Sequence, residues 1–207
     1  LRMIKLVCCL ILLLASFQFV QLKSANDEDG DTGYFWQLTD QHLFFDYLIG
    51  SNPDCGVPNC CANKTKGQTR FAGKWGDAFG DCDIPIDTYQ SSLDFVKNFK
   101  YPNGDTAPDF IIMGGDATPH NVWAQTKEYN LHYISVLYKL AAQTFGSNSE
   151  WTHVLPSIGN HDTFPIDQLA LPPKGDWLLD FFQTTWTPFL GKPQLATVKQ
   201  GGWYSLN

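Results

Sequence analysis

Phe110-Ile111-Ile112-Met113-Gly114-Gly115-Asp116 points to an α/β sheet. The apolar run reads as a buried strand, and the carboxylate just after it stands where an open α/β sheet presents ligands to a crevice. The same order occurs twice more. Tyr34-Phe35-Trp36-Gln37-Leu38-Thr39 runs into Asp40-Gln41-His42, and Val154 to Ile158 runs into Gly159-Asn160-His161-Asp162. Pro156 predicts that pairing of the third strand is interrupted there.

Helical spacing fills the intervals. Leu93, Val96 and Phe99 predict a helix over Asp87 to Phe99, with Asp87 or Thr88 as its cap. Leu131, Ile134, Leu137, Ala141 and Phe145 share one face of a helix from Thr126 to Phe145, which Gly146 stops. Trp177 to Leu190 is apolar at nearly every turn and is expected to be a core helix against the sheet, and Gly202 to Leu206 reads as a strand. Residues 43–86 form a Gly- and Pro-punctuated connection longer than compact domains tolerate unless it is functional or stapled. Alternating strands and helices argue for a mixed α/β sandwich, without internal repeat, low-complexity segment or second domain. The chain opens on Leu1 and closes within the last predicted strand, so it is expected to be part of a longer protein, with the other half of the sheet missing.

Three segments carry chemistry. Asp40 and His42 are one residue apart, so in extended geometry both side chains point to one side, as ligation of a single ion requires. Gly114 and Gly115 leave room beside Asp116 for the backbone to approach an ion or ligand closely, and Asn160 supplies a neutral oxygen where a further carboxylate would over-neutralise two cations. Such oxygen and nitrogen donors suit hard or borderline divalent ions, and two ions sharing a carboxylate can activate water and clamp a phosphate. Each motif alone has a plainer reading: Asp-x-His is a weak signal, and Asp116 and Gly159-Asn160 are good turn formers. Their recurrence at three strand ends favours the metal. His132 and His153 have no motif around them and read as structural.

Composition sets the compartment. Met3-Ile4-Lys5 and the apolar run Leu6 to Val20 read as a secretory signal peptide occupying residues 1–25, a signal anchor being the competing reading. Its removal takes away Cys8 and Cys9 and leaves Cys55, Cys60, Cys61 and Cys82, two disulfides in any of three connectivities. A structural zinc site is the competing reading for that cluster. Loss of Arg2, Lys5 and Lys23 leaves 11 basic against 21 acidic side chains, a formal charge of −10 for residues 26–207. So acidic a chain is a poor host for nucleic acid polymer or an anionic membrane at neutral pH. Asn63-Lys64-Thr65 is a glycosylation sequon at Asn63 in the exposed connection.

Asp40-Gln41-His42, Gly115-Asp116 and Gly159-Asn160-His161-Asp162 together resemble the motifs of the calcineurin-like metallophosphoesterases. Asp54-Cys55-Gly56-Val57-Pro58-Asn59-Cys60-Cys61, Trp75-Gly76, Cys82-Asp83-Ile84-Pro85, His120 and Val122-Trp123-Ala124-Gln125-Thr126 extend the likeness. From Gly33 to its end the chain resembles the acid sphingomyelinase and sphingomyelinase-like phosphodiesterase family. The resemblance implies a metallophosphoesterase β-sandwich flanked by helices, of which this chain holds the N-terminal part over 26–207.

The resemblance also implies two zinc ions, or other divalent metals, on Asp40, His42, Asp116 and Asn160, with Asp116 bridging. His120 and His161 would do proton and phosphate work, His161 at the phosphate and His120 at the leaving group or the reverse. Disulfides Cys55–Cys60 and Cys61–Cys82 follow from it as well. The family's further histidine ligands, in a downstream Gly-His and Gly-His-x-His, do not occur before Asn207, so residues 1–207 are expected to supply half of each metal site and to have little activity alone. The implied reaction is hydrolysis of sphingomyelin to ceramide and phosphocholine by a secreted or lysosomal enzyme, with membrane-surface contact. Alternatives are a soluble nucleotide or other phosphoester as substrate, toward which Asp162 leans where acid sphingomyelinase has Glu, and a secreted, non-catalytic binding protein.

Overall fold

A computed structural model describes residues 17–23, 32–146 and 152–206. Its centre is a four-stranded sheet of β1 (Phe17–Lys23), β2 (Thr32–Leu38), β3 (Phe110–Met113) and β4 (His153–Pro156), in that order. β1 pairs antiparallel with β2, whereas β2, β3 and β4 run parallel. Trp36 lies opposite Ile111, which lies opposite Val154, and all three are buried. Because side chains alternate across a strand, the other face carries Phe35, stacked on its partner Phe110 with ring centroids 4.8 Å apart.

Parallel neighbours need crossovers, and helices supply them. α1 (Ile86–Asn98) buries Tyr89, Leu93 and Val96. α2 (Lys127–Phe145) buries Tyr133, Ile134, Leu137, Tyr138, Ala141 and Phe145. α3 (Asp176–Thr185) and α4 (Lys192–Gly201) close the same core with Leu178, Phe182, Leu195 and Val198. The mixed α/β class expected from the sequence is therefore present. Among the described residues no helix is long and apolar enough to cross a membrane.

Several boundaries differ from the sequence reading for identifiable reasons. Neither Asp87 nor Thr88 caps α1. Pro85 takes that position with φ −68°, already the angle its ring imposes, and the Thr88 hydroxyl donates instead to the Trp75 carbonyl at 2.9 Å. Thr126 does cap α2, its hydroxyl accepting from the Tyr129 N–H, and Gly146 stops that helix at φ 85°. β4 ends at Pro156, which has no N–H to donate. The helix expected over Trp177 to Leu190 ends at Thr185, and Phe189 and Leu190 turn back to hydrogen-bond the Trp186 carbonyl around Pro188.

Residues Gly202 to Leu206 form no strand. They follow α4, an unforeseen helix whose signals were Pro193 in its first turn and Gly202 in the left-handed region at its end. Of the segment read as a signal peptide, only Phe17–Lys23 falls among the described residues, and it forms the outer strand β1. Leu137, on α2, is wholly buried in the core. Leu137→Ala is expected to lower stability by about 3 kcal/mol, read from a urea titration; an unchanged midpoint would contradict this placement of the core.

Candidate active site

β2, β3 and β4 end side by side, so the loops that leave them are neighbours. Asp40, His42 and Asp116 each adopt positive φ, at 55°, 35° and 58°. Left-handed backbone costs about 1–3 kcal/mol at a non-glycine residue and persists only where the surroundings hold it. Here the His42 N–H donates to the Asp116 carbonyl at 2.7 Å and the Leu43 N–H to the Ala117 carbonyl at 3.0 Å. Asp40 and His42 thus do converge, but through a left-handed turn beyond the strand and not through extended geometry. β2 has already ended at Leu38.

Gly115 and Gly159 serve the loops. A Cβ on Gly115 would meet the Gly159 backbone nitrogen, and one on Gly159 would meet the Asp116 backbone and carboxylate. The room beside Asp116 is taken by the neighbouring loop, whereas the sequence suggested an ion or ligand there. Asp162, fully buried, lies at this junction: its carboxylate accepts from the N–H groups of Gly159 at 2.9 Å, Asp116 at 3.1 Å and Ala117 at 2.9 Å. Burial pushes its pKa up to about 7, against these N–H donors, which favour the charged form.

Around this junction the side chains converge. The ligand atoms of Asp40, His42 and Asp116 lie within 4.8 Å of one another, as do those of His42, His120 and His161. Either group could hold a divalent ion, and His42 belongs to both. Three imidazole rings meet here, with centroids 4.0 Å apart for His42–His120, 4.6 Å for His42–His161 and 4.7 Å for His120–His161. The His42 Nδ1–H donates to the Thr118 carbonyl at 2.8 Å, which leaves Nε2 with its lone pair. His161 is 8% exposed, and its Nδ1 is buried without a hydrogen-bond partner among the described residues. A donor set of carboxylates and imidazoles with an orphaned nitrogen beside them fits a divalent metal.

Asn160 is exposed, and its amide nitrogen donates to Asp167 at 2.8 Å, with no donor to its carbonyl oxygen among the described residues. The Asp116 carboxylate meanwhile accepts from the His161 N–H at 2.7 Å, tying the second and third motifs together. His132 packs edge-on against Phe45 and His153 lies exposed at the start of β4; neither joins the cluster.

Two positioning residues escaped the sequence reading. Asp83 accepts from His120 twice, from the backbone N–H and from Nδ1, each at 2.6 Å. It follows Cys82, and the structure pairs Cys61 with Cys82 and Cys55 with Cys60, so the stapled loop delivers Asp83 to the site. A structural zinc on these cysteines is thereby corrected. Asn130, buried in α2, donates to the His161 and Thr163 carbonyls at 3.2 and 2.9 Å. A lone polar residue on an otherwise apolar helix face was its available signal. The hydrogen bond to Asp83 raises the pKa of His120, whereas burial, followed by the charges of His42 and His120, lowers that of His161.

No family model matches the chain. Similarity to curated proteins is nonetheless extensive, and phosphodiesterases are the class it defines. The chain is a homologue of the sphingomyelin phosphodiesterases, at 30–37% identity over about 84% of its length. It is 37% identical to sphingomyelin phosphodiesterase A of Dictyostelium discoideum over 173 residues, 84% of this chain and 27% of that protein. It is 31% identical to the Homo sapiens sphingomyelin phosphodiesterase over 179 residues, 82% of this chain and 26% of the relative. With the cyclic GMP-AMP phosphodiesterase SMPDL3A of Mus musculus it shares 30% identity over 173 residues, 84% of this chain and 35% of the relative. The chain therefore spans about a quarter to a third of the length of these relatives.

Two outcomes are expected of the site. In an NMR titration of the metal-free chain His120 titrates above the usual midpoint of about 6.5 and His161 below it, and Asp83→Asn brings His120 down; an unmoved His120 midpoint in that variant would contradict the pairing. Gly159→Ala is expected to cost about 1–3 kcal/mol by forcing the two loops apart, measured by urea denaturation against the parent; equal stability would show that the loops do not meet.

Proposed function

We propose that the chain is the N-terminal part of a metal-dependent phosphodiesterase that hydrolyses sphingomyelin to ceramide and phosphocholine. The observation that carries this reading is the gathering of Asp40, His42, Asp116, His120 and His161 at adjacent strand ends, in a chain similar to sphingomyelin phosphodiesterases over four fifths of its length. Asp40, His42, Asp116 and Asn160 would hold two divalent ions, zinc by preference. Such ions acidify water and neutralise phosphate charge.

The remaining work belongs to side chains. Asp83 fixes the His120 ring by accepting from its Nδ1–H and favours the imidazolium, whose Nε2–H would pass to the departing alkoxide and leave a neutral ring. His161, held through its backbone by Asp116 and Asn130, would hydrogen-bond the phosphoryl oxygens. The strained loops contribute pre-organisation: the ligands are placed before substrate arrives.

The sheet would form one half of a metallophosphoesterase sandwich, its Phe35–Phe110 face receiving a second sheet. Secretion or lysosomal delivery fits the two disulfides in the 55–82 loop. Residues 1–25 are read as the signal peptide, and because β1 is the outermost strand, its removal leaves the parallel β2–β3–β4 pairing intact. Asn63 is exposed, as glycan attachment requires. Similarity to a protein named as a cyclic GMP-AMP phosphodiesterase favours a soluble nucleotide diester as the second reading.

The test is metal-dependent hydrolysis of sphingomyelin beside cyclic GMP-AMP by the full coding sequence, expressed in a secretory host, together with its Asp116→Asn variant. Sphingomyelin cleavage should fall in the variant by more than the roughly 10- to 100-fold that loss of an outer-shell partner costs. Cleavage of the nucleotide alone would replace the substrate. Hydrolysis of neither would overturn the enzyme reading in favour of a secreted binding protein.

A further inference from the structure

The segment that follows the third motif folds back onto it. Residues 160–168 are turns and bends with neither helix nor strand, and they close around Thr163, which is 2% exposed. Its hydroxyl donates to the Asn160 carbonyl at 2.8 Å and accepts from the Gln168 N–H at 3.1 Å. The Asp167 N–H donates to the same carbonyl at 3.2 Å. Asp167 then meets Asn160 a second time, its carboxylate accepting from the Asn160 amide nitrogen at 2.8 Å. Among the described residues that amide is the one donor to the carboxylate, and no cation pairs with it.

Neither loop closure nor backbone geometry asks for an acid at this position. Thr163 and the Asp167 N–H already close the loop, and neither bond uses the carboxylate. Asp167 stands at φ 64°, in the left-handed region that glycine enters without strain. The carboxylate is instead directed at one group, the carboxamide of the residue read as a metal ligand. The two ends of that amide differ in what they can do: the oxygen can enter a metal's coordination, whereas the NH2 group only donates. The terminal torsion of asparagine is broad and two-fold, so nothing in Asn160 itself selects which end faces an ion. A carboxylate does select, because it accepts from the nitrogen and repels the oxygen.

The same hydrogen bond has an electronic consequence. A charged acceptor on the amide nitrogen polarises the carboxamide and leaves more negative charge on its oxygen, which makes that oxygen a better donor to a cation. We propose that Asp167 is a positioning residue of the metal site: it holds the nitrogen end of the Asn160 carboxamide and so presents the oxygen to a divalent ion. Asp167 lies seven residues beyond Asn160, outside the motif that marks the ligands, and only the fold-back of residues 160–168 brings the two together. The inference rests on the phosphodiesterase reading, in which Asn160 is a ligand.

The experiment is a zinc titration of the full coding sequence, made in a secretory host and stripped of metal, in competition with a chromophoric chelator. The parent is compared with Asp167→Gly, which suits φ 64° and removes the acceptor, and with Asp167→Asn, which keeps an acceptor oxygen. Asp167→Gly is expected to bind zinc on the order of 10- to 100-fold more weakly, the loss typical of a partner that orients a ligand. Asp167→Asn should bind like the parent. Urea midpoints measured on the same proteins should stay close to the parent's in both variants, because the bonds that close the loop remain.

Parent-like zinc affinity in Asp167→Gly overturns the proposal. Equal weakening in Asp167→Asn overturns it too, since the ion would then need the charge of Asp167 and not its hydrogen bond. A urea midpoint that falls together with zinc affinity in Asp167→Gly would make the carboxylate a support of the loop's folding and sink the positioning role. These three outcomes leave the phosphodiesterase reading standing. A parent that binds no zinc defeats the metal-dependent reading, and this inference with it.

Discussion

The Asp162 carboxylate, buried and held by three backbone N–H groups from two loops, is the interaction on which the site depends. A charge without water is costly unless its lone pairs are occupied, and here the N–H groups of Gly159, Asp116 and Ala117 occupy them. Those donors belong to segments that leave different strands. A single side chain therefore sets the distance between the second and third motifs. The Asp116 carboxylate repays the contact by accepting from the His161 N–H, so the loops are bonded in both directions.

From this clamp the rest of the geometry follows. The Asp116 and Ala117 carbonyls in turn accept from His42 and Leu43, drawing the first motif onto the second. The left-handed angles at Asp40, His42 and Asp116 are tolerated because hydrogen bonds from neighbouring strands over-determine them. A second tether comes from the cysteine loop: the Cys61–Cys82 bridge limits where Asp83 can go, and Asp83 holds His120. One connection thus serves the site through its inner end, where Asp83 meets His120.

Strand and helix identities were legible wherever periodicity and punctuation agreed. The runs at Tyr34, Phe110 and Val154 became parallel strands, and Thr126 and Gly146 bounded α2 as their chemistry suggests. Legibility failed where competing local signals were present. Thr88 looked like a cap, but Pro85 held the position and the hydroxyl found a tertiary partner in Trp75. Gly202 to Leu206 looked like a strand in isolation, yet a strand exists only with a neighbour to bond, and the Tyr204 hydroxyl bonds the Pro156 carbonyl side-on instead.

The amino-acid sequence specifies which donor atoms are available and that they follow three strands, because residue type and strand-length apolar runs are local properties. It also determined that four cysteines crowd one loop. Which of these atoms meet is set by packing between distant segments. Asp83 and Asn130 have no local mark of function. They act because the stapled loop and α2 are packed against the strand ends, and hydrogen-bond partners 31 to 37 residues apart are chosen by that packing. Likewise no spacing rule specifies that Asp40 and His42 converge through left-handed backbone, since that conformation is paid for by bonds that exist only when the neighbouring strand is in place.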